Sequence, residues 1–354
     1  MNETKHMFFV HRPISYLVAA AVIKQKKLHA RQVLFLTYRG FKVPDNSFAS
    51  YIFPFSLRPE PFPFQINFLD SWKRIRQFDH FINSLTGNTN FYIYLPHSSF
   101  RFMKLLISHA RCVGYSYLEE GLASYRRPEE INKPPYTGRV QLLDRLINRH
   151  RIKDRLFFNS NYQAVYGLHP EAFPAFKNRF ILNQAESSFR DVVEKYAGMH
   201  DLQQYHNSHI LVLDAISVYG MVKMETHLYA FKKVLNVLQQ LNLQKVYIKF
   251  HPAQKDHAEY RLFQEAADLF GKSIVLEELE QEVFLEVVAH KCFNVTFYVN
   301  WSSLGLYAAK SGQKVHSWAS FLWEQEPYLR QRYFSLPPVF LQNIQLLADE
   351  GIQE

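Results

Sequence analysis

The chain has 354 residues, which is too long for one compact core and suits two domains. A hydrophobic fraction of 47% and an aromatic fraction of 16% are typical of a globular protein and exclude disorder for most of the chain. The formal net charge is +9, from 41 Lys and Arg against 32 Asp and Glu. This excess favours an anionic partner without choosing among a nucleotide, an acidic glycan, an anionic membrane and a nucleic acid.

Cysteine usage and the N-terminal sequence indicate a cytoplasmic protein. Cys112 and Cys292 lie in apolar, strand-like runs, which favours two buried thiols over a disulfide or a zinc site. The apolar run at 14–23 is about half as long as a membrane span, and it follows "HRP" rather than a basic segment. We therefore predict a core helix there, with no signal peptide and no membrane span.

The first half of the chain opens with a strand–helix–strand pattern. "HMFFV" predicts a strand, Pro13 opens a helix to about Lys27, and "RQVLFLTY" predicts a second strand. The aromatic, proline-rich run at 46–64 predicts an irregular loop. The strand "NFYIYL", the helix "SSFRFMKLLISHA" and the strand "CVGYSYL" then follow. This alternation is typical of a parallel sheet.

The residues after 118 leave this pattern. "RRPEEINKPPYTGR" predicts a polar loop, and a basic helical stretch follows at 140–155. Its cations outnumber Asp144 and Asp154; they are Arg145, Arg149, Arg151, Lys153 and Arg155. A polar helical segment at 185–207 is interpreted as the end of the first domain plus a linker.

The second half alternates more clearly. The predicted strands begin at "SHILVLDAI", "KVYIKF", "SIVLEE", "CFNVTFYV" and "KVHSW", and a helical run separates each from the next. Such alternation predicts a doubly wound α/β domain. We therefore predict two Rossmann-like domains, at 1–190 and 208–320. A helical tail at 321–354 is predicted to pack back on the first domain.

Polar residues stand where several predicted strands end, which is where open α/β sheets bind ligands. Glu119 and Glu120 follow "CVGYSYL"; Asp214, His251 with Pro252, and Ser302 with Ser303 follow strands of the second half. Singly, each pattern is more often a turn or a helix cap. Together they supply a carboxylate to accept a proton, a histidine to donate one, and a helix N-terminus that favours phosphate. This combination suits transfer of a group from a nucleotide across an interdomain cleft.

The motifs resemble those of bacterial sialyltransferases. "EEG" at 119–121 is similar to their D/E-D/E-G motif, "YIKFHP" to their HP motif and "WSS" to their paired-serine motif; "RGFKVPDN" at 39–46 resembles an early segment of multifunctional members. The resemblance implies a GT-B fold, a CMP-linked nonulosonic acid as donor, and inverting transfer to a sugar hydroxyl without a metal. CMP-sugars carry one phosphate, and the sequence has no Asp-x-Asp to bridge a metal to a diphosphate.

The same resemblance implies roles for particular residues. Glu120 is the expected base with Glu119 beside it, His251 is the expected partner of the CMP phosphate next to Pro252, and Ser302 and Ser303 are expected to bind that phosphate. An acid is also expected on the ribose, and Glu282 is chosen over Glu278 and Glu286. Some relatives take their base from the loop where Asp214 stands, so Asp214 is the alternative base and is otherwise assigned to the nucleotide site.

Several alternatives remain open. The donor is a sialic acid, another nonulosonic acid or Kdo, and the acceptor is a lipooligosaccharide, a capsule repeat or a sialylated chain. A nucleic-acid-binding protein and an inactive scaffold are the other classes; without an RNA- or DNA-recognition signature we expect no nucleic acid partner. No cofactor is expected. The basic stretch and the aromatic loop predict a peripheral contact with an anionic inner membrane.

Overall fold

The protein is described by a computed structural model, which covers residues 3–38, 40–56, 68–132, 138–152, 155–182, 187–270, 274–348 and 351–352. The chain divides into two compact units, Met1–Val192 and Val193–Glu354. The division falls inside one helix, so the predicted limits at 190 and 208 stay predictions. Within the described residues, no helix has the length and apolarity needed to cross a bilayer.

The first unit contains a seven-stranded parallel sheet in the order β3-β2-β1-β4-β5-β6-β7. Its strands are β1 (Lys5–Val10), β2 (Val33–Thr37), β3 (Ala49–Ile52), β4 (Phe91–Leu95), β5 (Cys112–Leu118), β6 (Ala164–Gly167) and β7 (Arg179–Ile181). Central strands β1 and β2 contain runs of consecutive buried apolar residues, at 7–10 and 33–36, because helices cover both faces of a parallel sheet. In their register Phe8 lies beside Phe35, and their rings pack 5.7 Å apart.

Helices connect these strands. They are α1 (Pro13–Gln25), α2 (Phe68–Thr86), α3 (Arg101–Ile107), α4 (Pro128–Ile131), α5 (Gly138–Ile147) and α6 (Ser187–Ala197). Pro13 occupies the first turn of α1, where its missing N–H costs nothing, and the Ser15 hydroxyl accepts from the Arg12 N–H at 3.2 Å. The helix therefore begins where the sequence predicts it.

The second unit repeats the strand order, β10-β9-β8-β11-β12-β13-β14. Its strands are β8 (His209–Leu213), β9 (Lys245–Phe250), β10 (Val275–Glu278), β11 (Thr296–Val299), β12 (Lys314–Ser317), β13 (Gln345–Ala348) and β14 (Gly351–Ile352). All neighbours are parallel except β13 and β14. The helices are α7 (Met224–Gln240), α8 (Pro252–Lys255), α9 (Ala258–Phe270), α10 (Leu285–Lys291), α11 (Ser303–Lys310), α12 (Ala319–Gln325), α13 (Tyr328–Phe334) and α14 (Pro338–Asn343).

Two parallel-sheet, doubly wound units confirm the predicted fold class. Several elements differ from the sequence predictions. Ala49–Ile52 forms an edge strand inside the predicted irregular loop, and α2, β6 and β7 have no counterpart among the predictions. Strands of three or four residues carry too little pattern to be recognised alone, because their pairing depends on neighbours that are distant in sequence.

The C-terminal residues complete the second unit. Helix α12 packs against α7, and β13 extends the sheet by pairing with β12. The tail predicted at 321–354 as purely helical therefore also supplies strands. Its predicted packing on the first domain stays a prediction.

Candidate functional site

Three loops meet at one edge of the first sheet. The strand order places β4 beside β1 and β5 beside β4, so the direction of winding reverses between β1 and β4. Ligands bind outside the carboxyl ends of the strands at such a reversal. The polar residues there are His11 and Arg12 after β1, His97 after β4, and Glu119 and Glu120 after β5.

Glu120 lies at the centre of this group, with its side chain 14% exposed. Its Oε1 is 2.8 Å from His11 Nε2 and 3.6 Å from Arg12 Nε, and its Oε2 is 3.7 Å from His97 Nε2. Burial by itself raises the pKa of this carboxyl. The charge and hydrogen bond of His11, with the charges of Arg12 and His97, outweigh burial and hold the pKa well below its usual range. Glu120 is therefore ionised at neutral pH and can accept a proton.

Glu119 has a different environment, because it is fully buried. Its Oε1 accepts a hydrogen bond from the Tyr125 hydroxyl at 2.6 Å, and its Oε2 accepts one from the Leu168 N–H at 2.6 Å. These bonds tie the turn after β5 to the residue that follows β6. A carboxylate held in this way supports the turn rather than contacting a substrate. We infer a positioning role for Glu119, and its place among the catalytic residues stays a prediction.

The second sheet brings the other predicted residues to its own edge. β8 lies between β9 and β11, and the winding reverses between β8 and β11. Asp214 directly follows β8, His251 directly follows β9, and Ser302 is the third residue after β11, which ends at Val299. Because neighbouring strands lie about 5 Å apart, the ends of β9 and β11 are separated by about 10 Å. β8, which Asp214 follows, lies between them.

The local structure of His251 fixes which of its ring nitrogens carries a proton. Nδ1 accepts a hydrogen bond from the Ala253 N–H at 3.1 Å. The proton of the neutral ring is therefore on Nε2, which can donate it. The loop is held by the His251 N–H, which donates to the Leu213 carbonyl at 3.0 Å, and by Pro252, which fixes φ in the first turn of α8.

The paired serines stand at the N-terminus of α11. Ser302 is the N-cap and Ser303 the first helical residue, and the Ser302 side chain makes no capping hydrogen bond. The helix lies close to its strand, since a Cβ on Gly305 would come within 2.9 Å of Val299 Cγ2. The positive end of the helix dipole and two hydroxyls together suit an anion.

Glu282, the acid that we expected on the ribose, does not lie in a helix. α10 begins at Leu285, so Glu282 precedes the helix and Glu286 lies in its first turn. Glu278 ends β10 and pairs with Lys255 at 2.9 Å. The structure thus corrects the position given to Glu282, while the choice of the acid that binds a ribose stays a prediction.

The basic stretch at 140–155 is largely structural. Arg151 pairs with Asp79, and Arg155 pairs with the buried Asp144. Lys153 and Asp154 lie outside the described residues, as does Arg39 at the start of the "RGFKVPDN" segment. Arg145 and Arg149, on and just beyond α5, are the cations of this stretch that the described residues leave exposed, and its predicted contact with a membrane stays a prediction.

Metal ligands do not gather at either edge. In the described ranges, no group of three His, Cys, Asp or Glu side chains could hold a metal ion. The predictions of a metal-independent reaction and of no cofactor stay predictions.

His11, Arg12 and His97 are the site residues that the sequence interpretation missed. Each stands one to two residues after a strand, the same signal that identified Glu120. "HRP" was used only to argue against a signal peptide, and the residues between "NFYIYL" and "SSFRFMKLLISHA" were given no role. The signal was therefore present, but their convergence on Glu120 depends on the order of β1, β4 and β5.

Comparisons with known proteins agree with this architecture. A model of the alpha-2,8-polysialyltransferase family matches residues 6–291, a range that contains the predicted site residues except Ser302 and Ser303. No curated protein sequence matches the chain significantly.

Solved structures show the fold. The UDP-GlcNAc 2-epimerase of Methanocaldococcus jannaschii, in complex with UDP-GlcNAc and UDP, has a TM-score of 0.52 at 10% identity, over 89% of this chain and 83% of that chain. A putative UDP-N-acetylglucosamine 2-epimerase from Listeria monocytogenes has a TM-score of 0.47 at 8% identity, over 97% and 92%. Acinetobacter baumannii MurG has 0.38 at 12%, over 98% and 97%. The architecture is that of GT-B proteins with two Rossmann-like domains.

Proposed function

The chain belongs to the alpha-2,8-polysialyltransferase family, and from that membership we propose that it transfers sialic acid from CMP-sialic acid to a hydroxyl of a sialylated chain. Family membership makes the chain a glycosyltransferase. The name of the family favours a sialic acid as donor, the C8 hydroxyl of another as acceptor, and hence the sialylated chain among the acceptors that the sequence leaves open. CMP-Kdo and other CMP-nonulosonates are the alternative donors.

In the proposed reaction the acceptor hydroxyl attacks C2 of the donor sugar. Glu120 takes the proton of that hydroxyl as the new C–O bond forms. The bond between C2 and the phosphate oxygen breaks, and the Nε2–H of His251 donates a hydrogen bond or the proton to the departing CMP. Attack opposite the leaving group inverts the configuration at C2. Ser302, Ser303 and the N-terminus of α11 bind the phosphate, which neutralises its charge without a metal.

The main support for this proposal is the local environment of the Glu120 carboxylate. A carboxylate at the strand edge, ionised and hydrogen-bonded to His11 at 2.8 Å, is in the protonation state that a general base requires. A purely structural carboxylate in this fold is illustrated by Glu119, whose oxygens are both engaged in the interior. Glu120 keeps partial exposure.

Incubation with CMP-N-acetylneuraminic acid and a panel of acceptors, followed by mass spectrometry, tests the proposal. We expect products that grow by one sialic acid at a time on an α2,8-linked oligosialic acid and no product on unsialylated galactosides. Transfer only to galactosides would overturn the acceptor, and transfer only from CMP-Kdo would overturn the donor. Absence of CMP binding by calorimetry, together with nucleic acid binding, would favour the other class of function.

We also propose that the chain makes a peripheral contact with an anionic membrane through α2 and α5. Leu69 and Leu142 are 67% and 56% exposed, and the Trp72 Nε1–H donates to the Leu146 carbonyl at 3.0 Å, joining the two helices. Exposed cations flank these leucines; they are Lys73, Arg74, Arg76, Arg139, Arg145 and Arg149. Exposed leucines favour a lipid surface over a hydrophilic polyanion, which would gain nothing from them.

Liposome flotation tests this contact. Vesicles with anionic lipid should bind the protein at low salt and release it as ionic strength rises, because screening shortens the Debye length to about 10 Å at 0.1 M. Arg145→Gln with Arg149→Gln should weaken binding, whereas Lys232→Gln with Arg261→Gln, an equal charge change on exposed residues of the second unit, should not. Equal loss with both pairs would mean that net charge alone acts, and no binding at low salt would refute the contact.

A further inference from the structure

A buried carboxylate lies behind the loop that carries His251. Glu259, in the first turn of α9, is fully buried. Its Oε1 accepts a hydrogen bond from Gln254 Nε2 at 2.7 Å and is 3.1 Å from His227 Nδ1. Its Oε2 accepts a hydrogen bond from the Ser217 hydroxyl. Burying a charge is costly unless it is paired and hydrogen-bonded, and here both oxygens are satisfied.

The electrostatic balance at Glu259 keeps it ionised. Burial raises the pKa of the carboxyl, but the hydrogen bonds from His227 and Ser217, the charge of His227 and the bond from Gln254 outweigh burial and lower the pKa. His227 lies on α7 with no exposed surface, and its ring is stacked on Trp318 at 5.8 Å. The partners of Glu259 are therefore themselves fixed by the core.

Glu259 decides which way the Gln254 amide points. A carboxylate only accepts hydrogen bonds, so it must face the NH₂ end of the amide. The carbonyl end is thereby turned toward the loop, where Gln254 Oε1 accepts the His251 N–H at 2.8 Å. The backbone at His251 and Ala253 then places the imidazole with Nδ1 as acceptor and Nε2 as donor. The chain of contacts runs from Glu259 through Gln254 to His251.

The same carboxylate reaches the neighbouring loop. Ser217 lies three residues after Asp214 in the segment that follows β8. Its hydroxyl contacts both Glu259 Oε2 and His227 Nδ1, the latter at 2.7 Å. One buried group therefore joins the loops after two adjacent strands, β8 and β9, and the second of these loops carries His251.

We infer that Glu259 is a positioning residue, which acts through Gln254 to hold His251 in the orientation that donates from Nε2 to the departing phosphate. The inference rests on the proposed function of His251. A neutral amide at position 259 can present an NH₂ group to Gln254, so that the Gln254 amide turns over and the His251 N–H keeps the Leu213 carbonyl but loses its bond to Gln254 Oε1. Displacement of a reacting group by about 1 Å can cost about 100-fold in rate.

Steady-state kinetics of Glu259→Gln test this role. We expect kcat to fall about 10- to 100-fold while the KM for the acceptor stays within about twofold, because the acceptor binds elsewhere. Glu326→Gln is the matched control. Glu326 is 8% exposed and accepts the Lys223 N–H at 2.9 Å at the start of α7, in the same unit. It should lower the melting temperature and leave kcat unchanged.

A double-mutant cycle separates positioning from a general loss of structure. Since Glu259 acts only through His251, Glu259→Gln should slow a His251→Ala enzyme no further. Additive losses, or a wild-type kcat for Glu259→Gln, would overturn the inference. If Glu259→Gln does not fold, Gln254→Met removes the amide that connects Glu259 to the His251 N–H. This variant must then show the same non-additivity with His251→Ala. If neither folds, Ser217→Ala, which removes one half-buried hydroxyl from Glu259, must show it.

The result distinguishes this inference from the function it rests on. A His251→Ala enzyme with wild-type kcat would refute the proposed role of His251 itself. An impaired His251→Ala enzyme with an unimpaired Glu259→Gln enzyme would refute only the positioning role.

Discussion

The two units share one strand order but differ in the charges at their sheet edges. In the first unit, the residues at the reversal surround a carboxylate, Glu120, with cations from the neighbouring loops. In the second, the corresponding edge holds a proton-donating histidine and a helix N-terminus with two serines. One edge stabilises a negative side chain, and we propose that the other binds a negative ligand. The shared fold therefore provides similar positions at both sheet edges, and the residues that follow each strand determine the chemistry possible there.

Removing the carboxylate from the first edge should have the largest effect. Glu120→Gln should lower kcat by about two to four orders of magnitude, the scale of general-base loss, with little change in the affinity for CMP. Quenched time-point assays with CMP-sialic acid measure kcat, and calorimetry measures the affinity for CMP. Asp214→Asn is the comparison variant: if it abolishes turnover while Glu120→Gln does not, the base is in the second unit.

Removing the proton donor from the second edge should have the next largest effect. His251→Ala should lower kcat by about two orders of magnitude and also weaken the use of the CMP donor, because the same nitrogen binds the phosphate and serves its departure. His251→Gln keeps an N–H donor without an acid and should recover donor binding but not kcat. Initial rates over a range of donor concentrations separate the two effects, and recovery of kcat by Gln would argue against proton donation.

The serines should affect binding more than turnover. Ser302→Ala and Ser303→Ala should each cost about 1 kcal/mol of CMP affinity, the usual net value of a hydrogen bond, or about a fivefold rise in Kd. Calorimetry with CMP and with cytidine checks this. Equal losses for both ligands would place the serines away from the phosphate.

The smallest effect concerns pH at the first edge. Because cations hold the pKa of Glu120 below its usual range, its base form is present throughout pH 5–8, and kcat/KM should not fall with acidification across that window through Glu120. His11→Asn removes the closest of the three cationic neighbours and leaves Arg12 and His97. The pKa of Glu120 should then rise toward the ordinary value of about 4.3, so the acid limb of kcat/KM should move to higher pH.

A pH–rate profile of the two enzymes decides this point. An acid limb near pH 6 in the wild type that disappears in His11→Asn would make His11, rather than Glu120, the proton acceptor. An unchanged acid limb would mean that His11 does not set the pKa of Glu120.

Much of the candidate site could be predicted because its residues occupy a locally recognisable position. Glu120, His251 and Ser302 directly follow or closely follow apolar strands, and a strand with its polar end is visible in a few residues. The alternation of strands and helices likewise fixed the fold class. Short strands such as β6 and β13 were not predicted, because four residues are too few to show a hydrophobic alternation. Such strands are stabilised by pairing with segments that are distant in sequence.

The sequence by itself determined that two α/β units carry acids, a histidine and serines at their strand ends. Only the tertiary structure decided how those residues divide their roles. Glu119 and Glu120 are adjacent in sequence, yet successive residues point in different directions, and one carboxylate enters the interior while the other meets His11. Which neighbours a side chain meets depends on strand order, a property of non-local pairing, and no local pattern around Glu259 indicated that it would support His251.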